Sequence, residues 1–411
     1  MALLVLPACG SDDPCSGVTG QCVGVPEGSS GADVQQALLD VQAGGTVAFG
    51  AGTFSLSTGL SLDTNDVTIV GKGMDSTILS FKNQTDGAQG LYVTATHGFT
   101  MHDIAVEDTK GDGVKMLATD HVRVSNTRVE WLAGANTTNG SYGIYPVQCN
   151  DVLLDSNVVK GASDSGVYVG QSTMIEVKNN RVELNVAGIE IENSMDADVH
   201  DNIATNNTGG ILVFNLPDLE VENGARTRVF MNQSFENNTE NFAPSGNIVG
   251  LVPTGTGIAV LAAHDVEIFG NDIHDNDSAN LGIISYEPTG IAITDASYDE
   301  YPTAIYIHDN TFGGTSDSPT GPLGALLISA LGEIQANGPY IVPDISWDGV
   351  LDPSRVDGTG QYAADERICI ANNGDADFIN LAWPLADATK PSEDLSVMAC
   401  TLAALPAVVL Q

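Results

Sequence analysis

Residues 164–215 read DSGVYVGQSTMIEVKNNRVELNVAGIEIENSMDADVHDNIATNNTGGILVFN. Here a glycine followed by an apolar residue recurs as Gly166-Val167, Gly188-Ile189 and Gly210-Ile211, with earlier copies at Gly90-Leu91, Gly113-Val114 and Gly143-Ile144. The steps along the series are 23, 30, 23, 22 and 22 residues. A second series runs out of phase with the first. In it Asn157, Asn180 and Asn202 each follow a short apolar-alternating segment, and later copies end at Asn271 and Asn310. Side chains alternate with period two between Asn, Asp and Gly turns, which is strand patterning, and no 3.6-residue period runs through the repeats. A unit this short cannot bury its own apolar side and must stack on copies of itself. Leucine-rich repeats share the length but hold Leu in fixed columns, whereas the inward column here is Val114, Ile144, Val167, Ile189 and Ile211. The pattern predicts an all-β fold, a single-stranded right-handed parallel β-helix (a solenoid) of about nine to eleven coils.

The ends differ from the repeat. Ser30-Gly31-Ala32-Asp33 has capping-box spacing, and Val34, Ala37, Leu38 and Val41 form an i, i+3, i+4, i+7 stripe. That predicts an N-terminal capping helix over 32–45, laid across the open strand edges of the first coil. The β-helix is expected over 46–313, with long loops near 215–228, 233–255 and 276–303. Residues 314–411 lose the period and are expected to form an irregular C-terminal cap, with a short helix near Leu323–Leu331.

The chain has 411 residues, 53 Asp plus Glu against 14 Lys plus Arg, and a net charge of −39. That charge excludes a nucleic-acid partner, because nothing could neutralise a run of phosphates. It also excludes docking on anionic lipid through a basic patch. Nine of the 14 basic residues lie between Lys72 and Arg181, so an acidic ligand meets least repulsion there. No apolar run reaches the ~18 residues of a membrane span.

Leu6-Pro7-Ala8-Cys9 resembles a bacterial lipobox, which implies lipidation at Cys9. The eight residues before Cys9 lack Lys and Arg, so a longer leader is expected upstream. Residues 1–31 then comprise a truncated signal and a linker, and membrane contact is through a lipid anchor alone. An exported chain meets an oxidising compartment, and sequence proximity suggests the pairs Cys15–Cys22 and Cys369–Cys400. Cys149 is left over as a buried thiol.

The phrases at 106–112 (VEDTKGD), 142–149 (YGIYPVQC), 161–172 (GASDSGVYVGQS) and 186–194 (VAGIEIENS) resemble a family of bacterial exported parallel β-helix repeat proteins, many of them lipoproteins. The resemblance covers roughly residues 30–400 and implies the fold and export, to the outer membrane, periplasm or cell surface. More distantly the chain is similar to the pectate-lyase-like superfamily, with its mannuronan C5-epimerases and periplasmic copper-maturation β-helix proteins. Those epimerases carry Asp-Pro-His-Asp on a strand. Tyr145-Pro146-Val147-Gln148 occupies a comparable stretch without the Asp and His, so their catalytic set is not carried over.

Stacked coils make columns. Lys115, Tyr145, Tyr168 and Glu190 share one outward column, with Asp112, Asp164 and Glu192 at its edges. Aromatic faces take sugar faces, and carboxylates accept hydroxyl hydrogen bonds or hold calcium. This predicts a shallow carbohydrate-binding groove with no loop over it, in which Glu190 and Glu192 raise one another's pKa. The other reading is an ordinary solvated face. Gln148, Gln171, Asn193 and Asn215 form a further column, expected to be a stacked amide ladder. Calcium is the candidate ion, with Asp196–Asn202 and Asp272–Asn276 as acidic runs that match no known calcium loop. The leading function is binding or modifying a polysaccharide, with lyase- or epimerase-like chemistry on fold analogy. The alternative is a non-catalytic scaffold for an exported redox or metal-maturation partner protein.

Overall fold

In the computed structural model, residues 13–335, 337–358, 360–384 and 390–411 are described; Cys9 lies outside the described residues. The chain winds as eleven coils, the number of rungs on its third ladder, which runs from Thr58–Leu62 to Phe378–Asn380. Each regular coil contributes three short strands to three parallel ladders. In coil 5 these are Asn150–Asp155, Val158–Lys160 and Ser165–Gly170. They pair in register with coil 6 at Val152↔Ile175, Val159↔Val182 and Val167↔Ile189. Counted this way, coil 2 is 67–94, coil 3 is 97–117 and coil 4 is 120–147. Coil 6 is 173–192, coil 7 is 195–214, coil 8 is 225–261, coil 9 is 264–284, coil 10 is 303–347 and coil 11 is 368–380.

The recurring glycine has a steric cause. A Cβ on Gly143 would lie 2.4 Å from Gly166 O, and one on Gly188 would lie 2.5 Å from Gly210 O. Successive coils close onto each other's backbone at this corner, leaving no space for a side chain. The next residue then points inward: Val114, Ile144, Val167, Ile189 and Ile211 are fully buried in one continuous core.

The asparagine series is a hydrogen-bonded ladder. Asn157, Asn180, Asn202, Asn232, Asn271, Asn310 and Asn373 each donate Nδ2 to the Oδ1 of the next, at 2.9–3.1 Å. The same oxygen takes the backbone N–H of the preceding asparagine, as in Asn180 N to Asn202 Oδ1 at 2.9 Å. The second amide hydrogen goes to a strand carbonyl, as in Asn180 Nδ2 to Leu154 O. These buried amides therefore donate and accept fully while turning the chain from the first ladder to the second. Asn185, Asn207, Asn237 and Asn276 repeat the device at the next corner.

At the N-terminal end, helix α1 spans Gly31–Asp40 behind a reciprocal Ser30–Asp33 capping box. It buries Val34, Ala37 and Leu38 over the first coil. The segment before it adds a strand, Cys22–Val25, which extends the first ladder beyond Thr46–Phe49. The ladders also continue past residue 313, where Ile345–Trp347 and Ile368–Ala371 pair on coils 9 and 10. Helix α2 (Gly321–Ile334) is inserted within coil 10 and packs beside the third ladder, not over the end. Disulfides join Cys15 to Cys22 and Cys369 to Cys400.

Candidate functional site

The outward column of the third ladder runs through Tyr92, Lys115, Tyr145, Tyr168 and Glu190, each beside the next in register. Its upper part is an aromatic cluster. The Tyr142, Tyr145 and Tyr168 rings pack with centroids 4.4, 4.6 and 4.9 Å apart. Lys115 Nζ sits 4.5 Å over the Tyr145 ring. Tyr92, Asp112, Lys115, Tyr142 and Tyr145 are half-buried and form a rim.

Beneath that rim the structure departs from the expected open groove. Asp164, Tyr168, Glu190 and Glu192 retain only 5, 5, 1 and 6% of their accessible surface. A loop at 236–255, inserted in coil 8, crosses back onto this face of the third ladder. Its Val249 and Val252 pack with Val186, Ala187 and Leu212. Its Asn247 donates Nδ2 to Asp164 Oδ2 at 2.6 Å. Neither Ser165 nor Asn247 was recognisable as a site residue from sequence, because the repeat pattern does not report where an insertion lands.

The buried groups form one network. Ser165 Oγ donates to Glu190 Oε2 and lies 3.0 Å from Asp164 Oδ1. Tyr168 donates its hydroxyl to Glu192 Oε1 at 2.5 Å. Gly170 leaves room for that phenol, since a Cβ there would meet the ring at 2.4 Å. Glu190 Oε1 is buried with no hydrogen-bond partner. Desolvation pushes Asp164 up to about 6 and Glu192 up to about 7. Burial and then the Glu192 charge raise Glu190 well above the carboxylate range. All three carboxyls thus hold protons in the pH range where exposed ones have lost them. Burial likewise raises the Tyr142 and Tyr145 phenols.

Further along, the same outward face turns apolar at Leu212, Phe214 and Leu261. With the loop and α2 it encloses a cavity of about 70 Å³ lined by Leu251, Leu261, Ile284 and Leu327. Gln148, Gln171, Asn193 and Asn215 do not stack on one another as expected. Their side chains tie down the loop at 215–224: Gln171 Oε1 accepts from Glu220 N, and Asn193 Nδ2 donates to Leu216 O and Val221 O. Cys149 is a buried thiol that burial pushes up to about 12.

The acidic runs have other partners. Asp196 is paired with Arg226, Asp198 lies 3.5 Å from Arg228, and Asn202 and Asn276 belong to the amide ladders. Among the described residues, no group of three or more His, Cys, Asp and Glu side chains is arranged to hold a metal ion. His102, His200, His274 and His308 each turn Nδ1 to the neighbouring aspartate.

Comparison with known proteins follows this geometry. The family described as right handed beta helix region matches residues 67–225. The family described as periplasmic copper-binding protein (NosD) matches residues 162–317. No curated protein sequence matches the chain. Among solved structures, the chain is similar to the Azotobacter vinelandii mannuronan C-5 epimerase AlgE4 A-module, with TM-score 0.53 and 19% identity over 84% of this chain and 91% of that one. The AlgE6 A-module of the same organism has TM-score 0.46 and 15% identity over 84% and 91%. An alginate lyase from Paenibacillus sp. has TM-score 0.36 and 12% identity over 73% and 96%. No helix among the described residues is long and apolar enough to cross a membrane. The fold of this chain is a right-handed parallel β-helix.

Proposed function

We propose that the chain binds a polysaccharide along the third ladder's outward face, entering at the rim of Tyr92, Lys115 and Tyr145. The observation that carries this reading is the Tyr142–Tyr145–Tyr168 cluster under the Lys115 ammonium, set directly above the buried carboxyls of Asp164, Glu190 and Glu192. Ring faces stack on sugar faces, and the ammonium takes a uronate carboxylate. Burial raises Asp164, Glu190 and Glu192, so at a given pH they carry less negative charge than exposed carboxylates and an acidic glycan meets less repulsion here than elsewhere on a −39 surface. The similar AlgE4 module is named a mannuronan C-5 epimerase, which supports the polysaccharide class.

Lyase- or epimerase-like chemistry needs a proton acceptor and a proton donor on one sugar. Glu192, an acceptor once ionised above about pH 7, and Tyr168, which donates its hydroxyl to it, are the pair suited to it, and both lie buried beneath the rim. Export with lipidation at Cys9 fits two disulfides and a glycan ligand in the envelope. The test is a glycan array that includes polyuronates, run with and without added calcium. Binding that drops about tenfold in Tyr145→Ala supports the site. No glycan bound under either condition overturns it and favours the second reading, a scaffold for an exported metal-maturation partner, to which the copper-protein family match points.

A further inference from the structure

On the first ladder a separate surface is already occupied by the protein itself. Residues 401–411 (TLAALPAVVLQ) leave the Cys369–Cys400 disulfide on coil 11 and run back along the helix axis, perpendicular to the strands. Leu405 N donates to Glu267 Oε2 at 3.0 Å on coil 9. Val408 N donates to Asp198 Oδ2 at 3.2 Å on coil 7. Gln411 N donates to Asp151 Oδ1 at 3.3 Å on coil 5. Arg123 on coil 4 then donates to Gln411 O at 3.0 Å. The amides engaged are three residues apart, and the carboxylates are two coils apart.

The two repeats coincide for a physical reason. Three residues of polyproline II advance about 9.3 Å, and two coils at sheet spacing advance about 9.6 Å. Pro406 favours that conformation in itself and in Leu405 before it. Leu402, Leu405 and Val408 are half-buried while the alanines beside them are exposed. The segment carries no charged side chain, so its amides approach the carboxylates without opposing their charge. Asp198 and Glu267 are themselves 5 and 4% exposed, with the Arg228 guanidinium between them in the column.

We propose that the first ladder's outward face is a binding groove for an extended, uncharged peptide with Leu or Val at every third position, and that residues 401–411 are its built-in, exchangeable occupant. Stacked carboxylates read the backbone of such a peptide, and the coil repeat sets its register. Because the disulfide holds the segment at millimolar effective concentration, a free peptide at micromolar concentration does not displace it.

The experiment uses full-length protein and a fluorescent synthetic TLAALPAVVLQ peptide. Leu405→Asp with Val408→Asp places charges against Glu267 and Asp198 and releases the segment. This variant is expected to bind the labelled peptide, at least tenfold more tightly than the unaltered protein does. Adding Asp198→Ala and Glu267→Ala should lower that binding about tenfold. A released variant that keeps its β-sheet circular dichroism yet binds no peptide overturns the proposal, as does binding indifferent to the two carboxylates. A second measurement needs no substitution. In the unaltered protein the amides of Leu405, Val408 and Gln411 should exchange at least tenfold more slowly than those of Ala403, Ala404 and Val409. Uniform exchange across 401–411 overturns the groove.

Discussion

Asn247 donates its side-chain amide to Asp164 Oδ2 at 2.6 Å, joining an insertion in coil 8 to the third ladder of coil 5. The contact spans 83 residues of sequence and about 14 Å of solenoid at sheet spacing. It brings the insertion onto an outward strand face at a carboxyl that is only 5% exposed.

Replacing Asn247 with Ala leaves Asp164 without that donor. A buried acceptor that loses its partner costs about 1–3 kcal/mol. We expect a lower unfolding midpoint and faster amide exchange across 241–252. Unchanged exchange there would mean that Asn241, which donates to Val249 O and Val252 O, holds the loop without help.

The buried acids set a pH dependence. Asp164 at about 6 and Glu192 at about 7 lie above their ordinary values of 3.8 and 4.5, and Glu190 is raised further. Between those ordinary values and the raised ones, the native state holds protons that the unfolded chain has released. Their contribution to stability is therefore full below about pH 4 and is lost as pH rises through 6 to 7. Urea midpoints should fall from pH 5 to pH 8, and Glu190→Gln should flatten the decline. A midpoint that rises over that interval in the unaltered protein would contradict the assignment.

Tyr145 and Tyr168 of the outward column should part company. Tyr145 is at the rim, and Tyr145→Ala should change stability by about 1 kcal/mol or less while weakening glycan binding. Tyr168 is buried and donates to Glu192. Its truncation opens a cavity and strips a carboxyl of its donor, at a cost of about 3–5 kcal/mol. Thermal melts of both variants, with binding measured on each, separate rim from floor.

The amide ladder should be least forgiving in its middle. Asn202→Ala removes the acceptor of Asn180 Nδ2 and the donor to Asn232 Oδ1, both buried. At about 1–3 kcal/mol for each buried group left unsatisfied, the loss should exceed that of Asn373→Ala at the ladder's end, where Asn310 loses its acceptor and Ile307 O its donor but no further asparagine is orphaned. Equal losses in denaturant titrations would show that the stacked amides do not act as a unit.

Spacing alone revealed the coils, because each coil needs a glycine where backbones touch and an asparagine whose amide bonds upward. Those requirements are local and repeat with the structure, so they repeat in the sequence. The rungs at Asn232 and Asn373, like those at Asn271 and Asn310, lie off the 22–23-residue step because insertions lengthen these coils. The expected boundaries at 31 and 313 reflect the same effect. Cys22–Val25 and Ile345–Trp347 are rungs without the repeat's flanking signals.

The outward column of Lys115, Tyr145, Tyr168 and Glu190 was likewise legible, since period-two alternation decides which side chains leave the core. What alternation cannot decide is whether an outward side chain meets water. Asp164, Tyr168, Glu190 and Glu192 are buried, and Asn247 and Val252 reach this face from an insertion whose landing place depends on packing in three dimensions. The segment at 401–411 is the same case on another face: nothing in its sequence names Glu267, Asp198 and Asp151 as partners. The repeat encodes the solenoid and the direction of each side chain, because both follow from neighbours a fixed step away. Only the tertiary structure decided which faces are solvent and which are covered, because burial depends on segments that no periodicity relates.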